Sequence, residues 1–378
     1  MKHAKWAIPV LIGCILPSGI LFAQAAAGAS TAGPDVLVLK DGEKIIGHLE
    51  SATASSIVFK SDGMGEVKVD WSKVQELRSD QHFAVIPKGV KLRNSSDMPK
   101  VPQGTIAVTD QMVQVKPSAG AEAQHLPAGN VAEVVPEAAF QNAFQHQSFL
   151  HGWKGGATAG LSLTEATQKN QTITSALNLV RTTPGVDWLD VRSRTIFDYN
   201  QAYGKLTQPG SPAVKTSLVH AGAEQDWYLS PRVFVFGQAM FDHSFSQGLQ
   251  LMQTYGGGLG LVVFKTENQE LDFKASADYI DQRFEVASLN KRLFGSIFGE
   301  SYNRTFAHGI LLNEQAGFVP AWNEMSAYTA FASAALTFPV YHRFGLTVGA
   351  LDNFINEPPP GFKKNSFQFT LGATYAFQ

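Results

Sequence analysis

Near the end of the chain, Phe367, Phe369, Leu371, Ala373, Tyr375 and Phe377 interleave with Gln368, Thr370, Gly372 and Thr374. Side chains alternate across an extended strand, so this segment carries one oily face and one polar face. The pattern recurs upstream. Leu271, Phe273, Ala275, Ala277 and Tyr279 oppose Asp272, Lys274, Ser276 and Asp278. Ala330, Ala332, Ala334, Leu336, Phe338 and Val340 oppose Thr329, Ser333 and Thr337, and Phe344, Leu346, Val348 and Ala350 oppose Gly345, Thr347 and Gly349. Twelve such segments follow one another from Trp153 onward. At roughly 10–12 residues they are long for soluble strands and match the length that crosses a bilayer when tilted. The polar faces carry charge, as the lumen of a membrane barrel does and the core of a sandwich does not.

The connections alternate in length. Ser230-Pro231, Thr266–Gln269, Ala307-His308 and Tyr341–Arg343 are short, while Lys205–Ala213, Ser244–Gln253, Val286–Phe294 and Asn356–Lys364 are long. Short periplasmic turns and long external loops have this asymmetry, and an even strand number returns both ends to the same side. Trp188, Trp227, Tyr228, Trp322 and Tyr328 stand near strand ends, where aromatic girdles form. The prediction is an all-β chain with a twelve-stranded antiparallel outer-membrane barrel over residues 152–378.

Ahead of the barrel the strands are shorter. Val36–Leu39 runs into Asp41-Gly42, a hairpin signal. Lys44–Leu49, Ile57–Lys60, Val67–Val69 and Val74–Leu77 complete five strands, which suggest an SH3-like or Sm-like module over 35–80. A second, repeated module is expected over 81–136, because Gly47–Leu77 lies over Gly104–Val134 without a gap and matches apolar position to apolar position. Phe140 and Phe144, four apart, predict a short linker helix within 137–151.

Hydrophobic residues make up 44% of the 378 and charged residues 16%, with a mean hydropathy of -0.06. Beyond the N-terminus no run approaches a transmembrane helix. Residues 1–25 have the form of an export signal: Lys2 and Lys5, an apolar core, then Ala23-Gln24-Ala25. Cys14, the only cysteine, falls inside it, where Leu11–Cys14 also has the form of a lipoprotein signal. Cleavage after Ala25 leaves no thiol, which excludes disulfides and thiol catalysis from the mature chain. The net charge of -2 becomes more negative by two on loss of Lys2 and Lys5, too balanced for a nucleic-acid partner.

Candidate chemistry lies on the polar faces. Asp198, Glu224, Asp226, Asp242, Asp272, Lys274 and Asp278 are the candidate lumen charges, fit to set the ion preference of a pore, to perform acid–base work, or to form the solvated or salt-bridged interior of a closed barrel. Asp242-His243-Ser244 invites comparison with a hydrolase, but neighbours on an extended chain point opposite ways and cannot form a triad directly. Gly256–Gly260 lies in a strand and opens no helix, so it cradles no phosphate; close packing beneath lumen side chains is its expected role. The ten histidines show no metal-ligand spacing. No catalytic, metal or cofactor residue is assigned.

Gly152-Trp153-Lys154-Gly155, Ala159–Leu163, Tyr203-Gly204-Lys205, Phe241-Asp242-His243 with Gly248-Leu249, and Tyr255–Gly260 resemble the YdiY-like family of salt-induced outer-membrane proteins. The resemblance covers residues 152–378. The family's Gly-Asn pair in the first turn is replaced by Glu165-Ala166-Thr167. The resemblance implies an outer-membrane barrel with no assigned function and no catalytic residues. The expected partners are outer-membrane lipid, the barrel-insertion machinery and a periplasmic partner of the N-terminal modules. A narrow channel or stress-related structural role leads. A lipid- or polymer-modifying hydrolase and a barrel-anchored periplasmic scaffold are the alternatives.

Overall fold

The computed structural model describes residues 33–61, 63–92, 95–117, 122–145, 149–165, 169–186, 188–207, 213–266 and 268–377. The expected export signal, its cleavage site and Cys14 lie outside the described residues. Among those described, no helix is long and apolar enough to cross a membrane. The chain divides into two compact units, one reaching from the N-terminal strands to Glu137 and the other holding Ala138–Gln378.

The first unit is one antiparallel sheet of nine strands. These are β1 (Asp35–Leu39), β2 (Lys44–Thr53), β3 (Ser56–Ser61), β4 (Gly65–Asp70), β5 (Val74–Pro87), β6 (Gln103–Thr109), β7 (Met112–Lys116), β8 (Gln124–Pro127) and β9 (Val131–Pro136). The Asp41-Gly42 signal closes the β1–β2 hairpin, with Gly42 at φ 90° and the Glu43 amide donating to Asp41 Oδ1. Leu37, Ile57, Phe59, Val74, Val113, Val115 and Val131 are fully buried in one shared core. β5 runs through position 80, the boundary expected between two modules, and its second half pairs with β9. A shift of 57 residues carries the one-turn 3-10 helix Trp71–Lys73 onto Ala128–Asn130, each followed at once by a strand. It also carries Gly47 onto Gly104. A Cβ at Gly47 would lie 2.0 Å from the Lys60 carbonyl oxygen, and one at Gly104 2.1 Å from that of Lys116. Only glycine permits that backbone approach.

Helix α1 (Glu137–Ala143) is shorter than the expected linker span, and Phe140 packs on Phe144 at 5.2 Å and on Trp188 at 5.8 Å.

The second unit is a closed antiparallel barrel. Its strands are β10 (Trp153–Glu165), β11 (Lys169–Thr183), β12 (Ser193–Thr207), β13 (Val214–Tyr228), β14 (Val233–Ser244), β15 (Leu249–Lys265), β16 (Gln269–Phe284), β17 (Lys291–Gly295), β18 (Phe298–Thr305), β19 (Leu311–Val319), β20 (Thr329–Tyr341), β21 (Phe344–Ile355) and β22 (Asn365–Phe377). β17 and β18 pair with β16 in one continuous register, Asp278 with Gly295 and Ala275 with Phe298, so they form a single stave interrupted at Ser296 and Ile297. Twelve staves result, and β10 pairs with β22 from Gly155–Phe377 to Ala159–Ala373 to close the ring.

Trp153 and Phe377 share one end of the barrel, called here the terminal end; the opposite end is the loop end. The expected short turns all fall at the terminal end, joined there by the longer segment 184–192. Two expected long loops prove short: β15 begins at Leu249 and β17 at Lys291, because the strands stay paired beyond the apolar stretch that marked them. Tyr228, expected in an aromatic girdle, instead turns inward and packs on the buried Phe234 ring at 5.1 Å.

At the loop end Lys291 is hydrogen-bonded to Glu324 at 2.7 Å and to Glu357. The bond from the Lys291 ammonium to Glu357, and then one from Ser326, hold the Glu357 carboxyl below its ordinary value of 4.5. A carboxylate with a lowered folded pKa contributes stability above its unfolded value and loses it as pH falls through the folded one. Protection of segment 356–364 from hydrogen exchange is therefore expected to fall on acidification below the ordinary carboxylate range, and protection indifferent to acid would contradict the clasp.

Candidate functional site

Because directly paired residues share a face, one inward phase runs through five adjacent staves. It sets Arg194 and Asp198 of β12, His220, Glu224 and Asp226 of β13, Asp242 of β14, and Glu270, Asp272, Lys274 and Asp278 of β16 on the inner wall. All seven sequence-predicted lumen charges are among them. All but Asp278 group around three cations: the predicted Lys274, and Arg194 and His220, which the sequence reading did not single out.

Nearest the terminal end, Arg194 spans from β12 to β16. Its Nε donates to Asp226 Oδ2 at 2.6 Å, Nη1 to Glu270 Oε1 at 2.9 Å and Nη2 to Asp272 Oδ2 at 2.8 Å. The planar guanidinium suits this fork, which a lysine could not fill. Its Cζ lies 5.2 Å from the Phe234 ring centroid. Asp226 is fully buried, and the second carboxylate oxygens of Asp226 and Asp272 have no hydrogen-bond partner. One level further in, Lys274 donates to both oxygens of Glu224 at 2.5 and 2.8 Å.

Deeper still, His220 stands between two acids. Nε2 lies 2.7 Å from Asp198 Oδ2 and Nδ1 2.6 Å from Asp242 Oδ1. A neutral imidazole has one N–H, so both contacts are hydrogen bonds at once only in the imidazolium form. Asp278 has no cation: Gln238 Nε2 donates at 2.8 Å, Ser276 Oγ at 2.5 Å and the Ile297 amide at 3.2 Å.

The Gly-rich stretch of β15 makes room for this wall. A Cβ at Gly256 would lie 1.9 Å from Asp278 Oδ1, and one at Gly260 2.0 Å from the Phe234 ring. Gly256→Val is accordingly expected to destabilise the barrel by about 1–3 kcal/mol through overpacking; a denaturation midpoint equal to wild type would refute the packing role.

On the opposite staves part of the lining is hydroxyl. Thr158, Thr374, Thr347 and Thr337 form a hydroxyl chain across β10, β22, β21 and β20, with steps of 2.7, 2.5 and 2.8 Å. Asn303, Asn313 and Gln315 on the inner face of β18 and β19 are exposed, so the lumen is accessible there. The loop end is crossed by a segment of the chain. Segment 245–248, between the fifth and sixth staves, reaches the eleventh and twelfth across the mouth. Gln247 Nε2 donates to the Asn353 and Lys364 carbonyls at 3.0 and 2.7 Å, and Ser246 Oγ meets Ser366 Oγ at 3.1 Å. Gly248, at φ 64°, lies under the Phe362 ring, and Leu249, Phe284 and Ile355 are buried together beneath.

No hydrolytic site assembles from Asp242-His243-Ser244. Asp242 binds His220, His243 Nδ1 meets the Gln250 carbonyl at 2.9 Å, and Ser244 Oγ meets Ser246 Oγ at 3.2 Å. Among the described residues no group of three or more histidines and carboxylates is arranged to hold a metal.

The barrel matches the family model described as "Protein of unknown function, DUF481" over residues 157–377, more than half of the chain. The chain belongs to the DUF481 family. Among solved structures, the DUF481 barrel is similar to an outer membrane channel from Pseudomonas putida F1, at 12% identity and a TM-score of 0.35 over 62% of this chain and 100% of that one. It is similar also to the translocator domain of the autotransporter NalP from Neisseria meningitidis, at 10% identity and a TM-score of 0.33 over 63% and 92%. A third is the transport unit of the autotransporter AIDA-I from Escherichia coli, at 14% and 0.28 over 64% and 96%. No curated protein matches the chain.

Arg194, His220 and Glu270 are the members of the DUF481 wall that the sequence reading missed. Parity was a usable signal: Arg194 shares the phase of Asp198, and His220 that of Glu224. The partners across four staves had no such signal.

Proposed function

We propose that the protein is a β-barrel of the bacterial outer membrane that passes small cations along a narrow lumen, closed at the loop end. The observation that carries this reading is the excess of acid on the inner wall. Asp198, Glu224, Asp226, Asp242, Glu270, Asp272 and Asp278 face Arg194, His220, Lys274 and, toward the terminal end, Lys265 and Lys154. A low-dielectric passage with surplus carboxylates attracts cations and repels anions.

Membrane insertion is supported by the outer face, where Leu161, Leu259, Leu261, Leu371, Phe344 and Phe369 stand exposed. An apolar belt of this extent suits hydrocarbon and would aggregate in water. Outer-membrane lipid is then the belt's partner, and the insertion machinery reads β22. The terminal end faces the periplasm and with it the nine-stranded unit, whose partner would be periplasmic. A cation-preferring lumen suits the salt-related role implied by the resemblance to YdiY-like proteins, and the separate partners of Asp242, His243 and Ser244 leave the hydrolase alternative without a site at that motif.

Single-channel recording tests it. Protein that shows a heat-dependent gel shift is placed in a planar bilayer under a potassium chloride gradient. Discrete steps with a reversal potential on the potassium side are expected; anion preference, or silence even after the loop end is opened, would defeat the channel reading.

A further inference from the structure

The outer face of the β18–β19 wall breaks the apolar belt. Paired residues share a face, so Glu300, Glu314, Tyr302 and Arg304 point outward together with Phe273, Phe298 and Phe318. A groove of about 750 Å³ opens here, lined by Leu259, Leu261, Phe273, Phe298, Phe318 and Glu300. Among the described residues Glu300, Glu314 and Arg304 form no ion pair; Arg304 instead lies over the Phe306 ring at 4.7 Å. Charge on a lipid-facing strand is costly toward the bilayer midplane, and acyl chains offer it neither donor nor counter-ion.

We propose that this wall is the interface of a homodimer, with a second copy of the chain seated against the groove and Arg304 of each copy paired with Glu314 of the other. The inference rests on the membrane reading above. Two barrels inserted in the same sense are related by a two-fold axis along the membrane normal, which keeps every residue at its own depth. Arg304 and Glu314 are diagonal neighbours on antiparallel strands, since Arg304 faces Leu312 while Tyr302 faces Glu314. Such neighbours lie about 7–8 Å apart, so they sit close enough in depth for two long side chains to meet across the axis. The patch carries both signs and is self-complementary, as an isologous contact requires. β19, with 9 residues, is the shortest uninterrupted stave, and the stave beside it is the interrupted one. The ladder between β18 and β19 has eight pairs, against thirteen between β10 and β11.

The test is cysteine cross-linking in the outer membrane on a Cys14→Ser background. Ala316→Cys places a thiol on the outward face of the groove, and Leu371→Cys places one on a distant wall. A band at twice the chain mass is expected for Ala316→Cys and not for Leu371→Cys, falling at least severalfold when Arg304→Gln and Glu314→Gln are added. Monomer at both positions, equal dimer at both, a conjugate of another mass, or a dimer indifferent to the two charge removals would each overturn the proposal. The heat-dependent gel shift, read on the same samples, separates this failure from failure of the membrane reading.

Discussion

Replacing Arg194 by alanine is expected to cost the barrel about 3–5 kcal/mol, the largest single loss available in its lumen. The guanidinium answers three carboxylates, of which Asp226 is fully buried and Asp272 nearly so. Removing it leaves those charges in a wall whose other occupants are the Phe234 and Phe236 rings. An unpaired buried charge costs more than the pair contributes, which is why the effect should exceed that of an ordinary surface ion pair. Arg194→Lys keeps the charge but loses the fork, and an intermediate loss follows. Adding Asp226→Asn and Asp272→Asn to Arg194→Ala should restore much of the stability, because the stranded charges go with the cation. Denaturant unfolding followed by the gel shift measures all of this. A midpoint for Arg194→Ala within about 1 kcal/mol of wild type would show that the charges are solvated and the lumen wetter than the geometry says.

Opening the loop end should change conduction more than stability. Gln247→Ala removes two hydrogen bonds that tie segment 245–248 to the opposite wall. At about 1 kcal/mol each, their loss shifts the closed-to-open balance by an order of magnitude or more. Phe362→Ala, which unseats the ring covering Gly248, should act in the same direction. The expected record is a higher open probability with unchanged cation preference, since the acidic wall is untouched. Unaltered conductance in both variants would mean that the segment is not what closes the mouth.

On the proposed channel reading, cation preference and gating belong to different parts of the chain: the wall from β12 to β16 would set the sign of the field, and the four-residue crossing would set whether the passage is continuous. Full-length strands supply the first. The second depends on residues that no strand contains.

The barrel itself was written in alternation. Phe367, Phe369 and Leu371 against Gln368 and Thr370 determine which face of β22 looks outward, because a strand has a period of two and a one-residue slip would expose every polar side chain to the belt. The same periodicity put Asp198, Glu224, Asp226, Asp242, Asp272, Lys274 and Asp278 on inner faces, and the Asp41-Gly42 hairpin followed from turn chemistry. All of these are local, set by residues a few positions apart.

What only the tertiary structure decided lies across the barrel or between staves far apart in sequence. Arg194 meets Asp272 over 78 positions, and Gln247 meets Lys364 over 117. Nothing in the local pattern of either residue encodes its partner. Tyr228 was assigned to a girdle from its place near a strand end, but it shares the phase of Glu224 and Asp226 and so turns inward, where it packs on Phe234. The loops at 244–253 and 286–294 were overdrawn because strands continue wherever a neighbouring backbone offers hydrogen bonds, whether or not the side chains still alternate. Sequence determined which residues face the lumen; ring closure determined which of them touch, because contact across a barrel depends on stave order and stagger, and these belong to the closed ring and to no single strand.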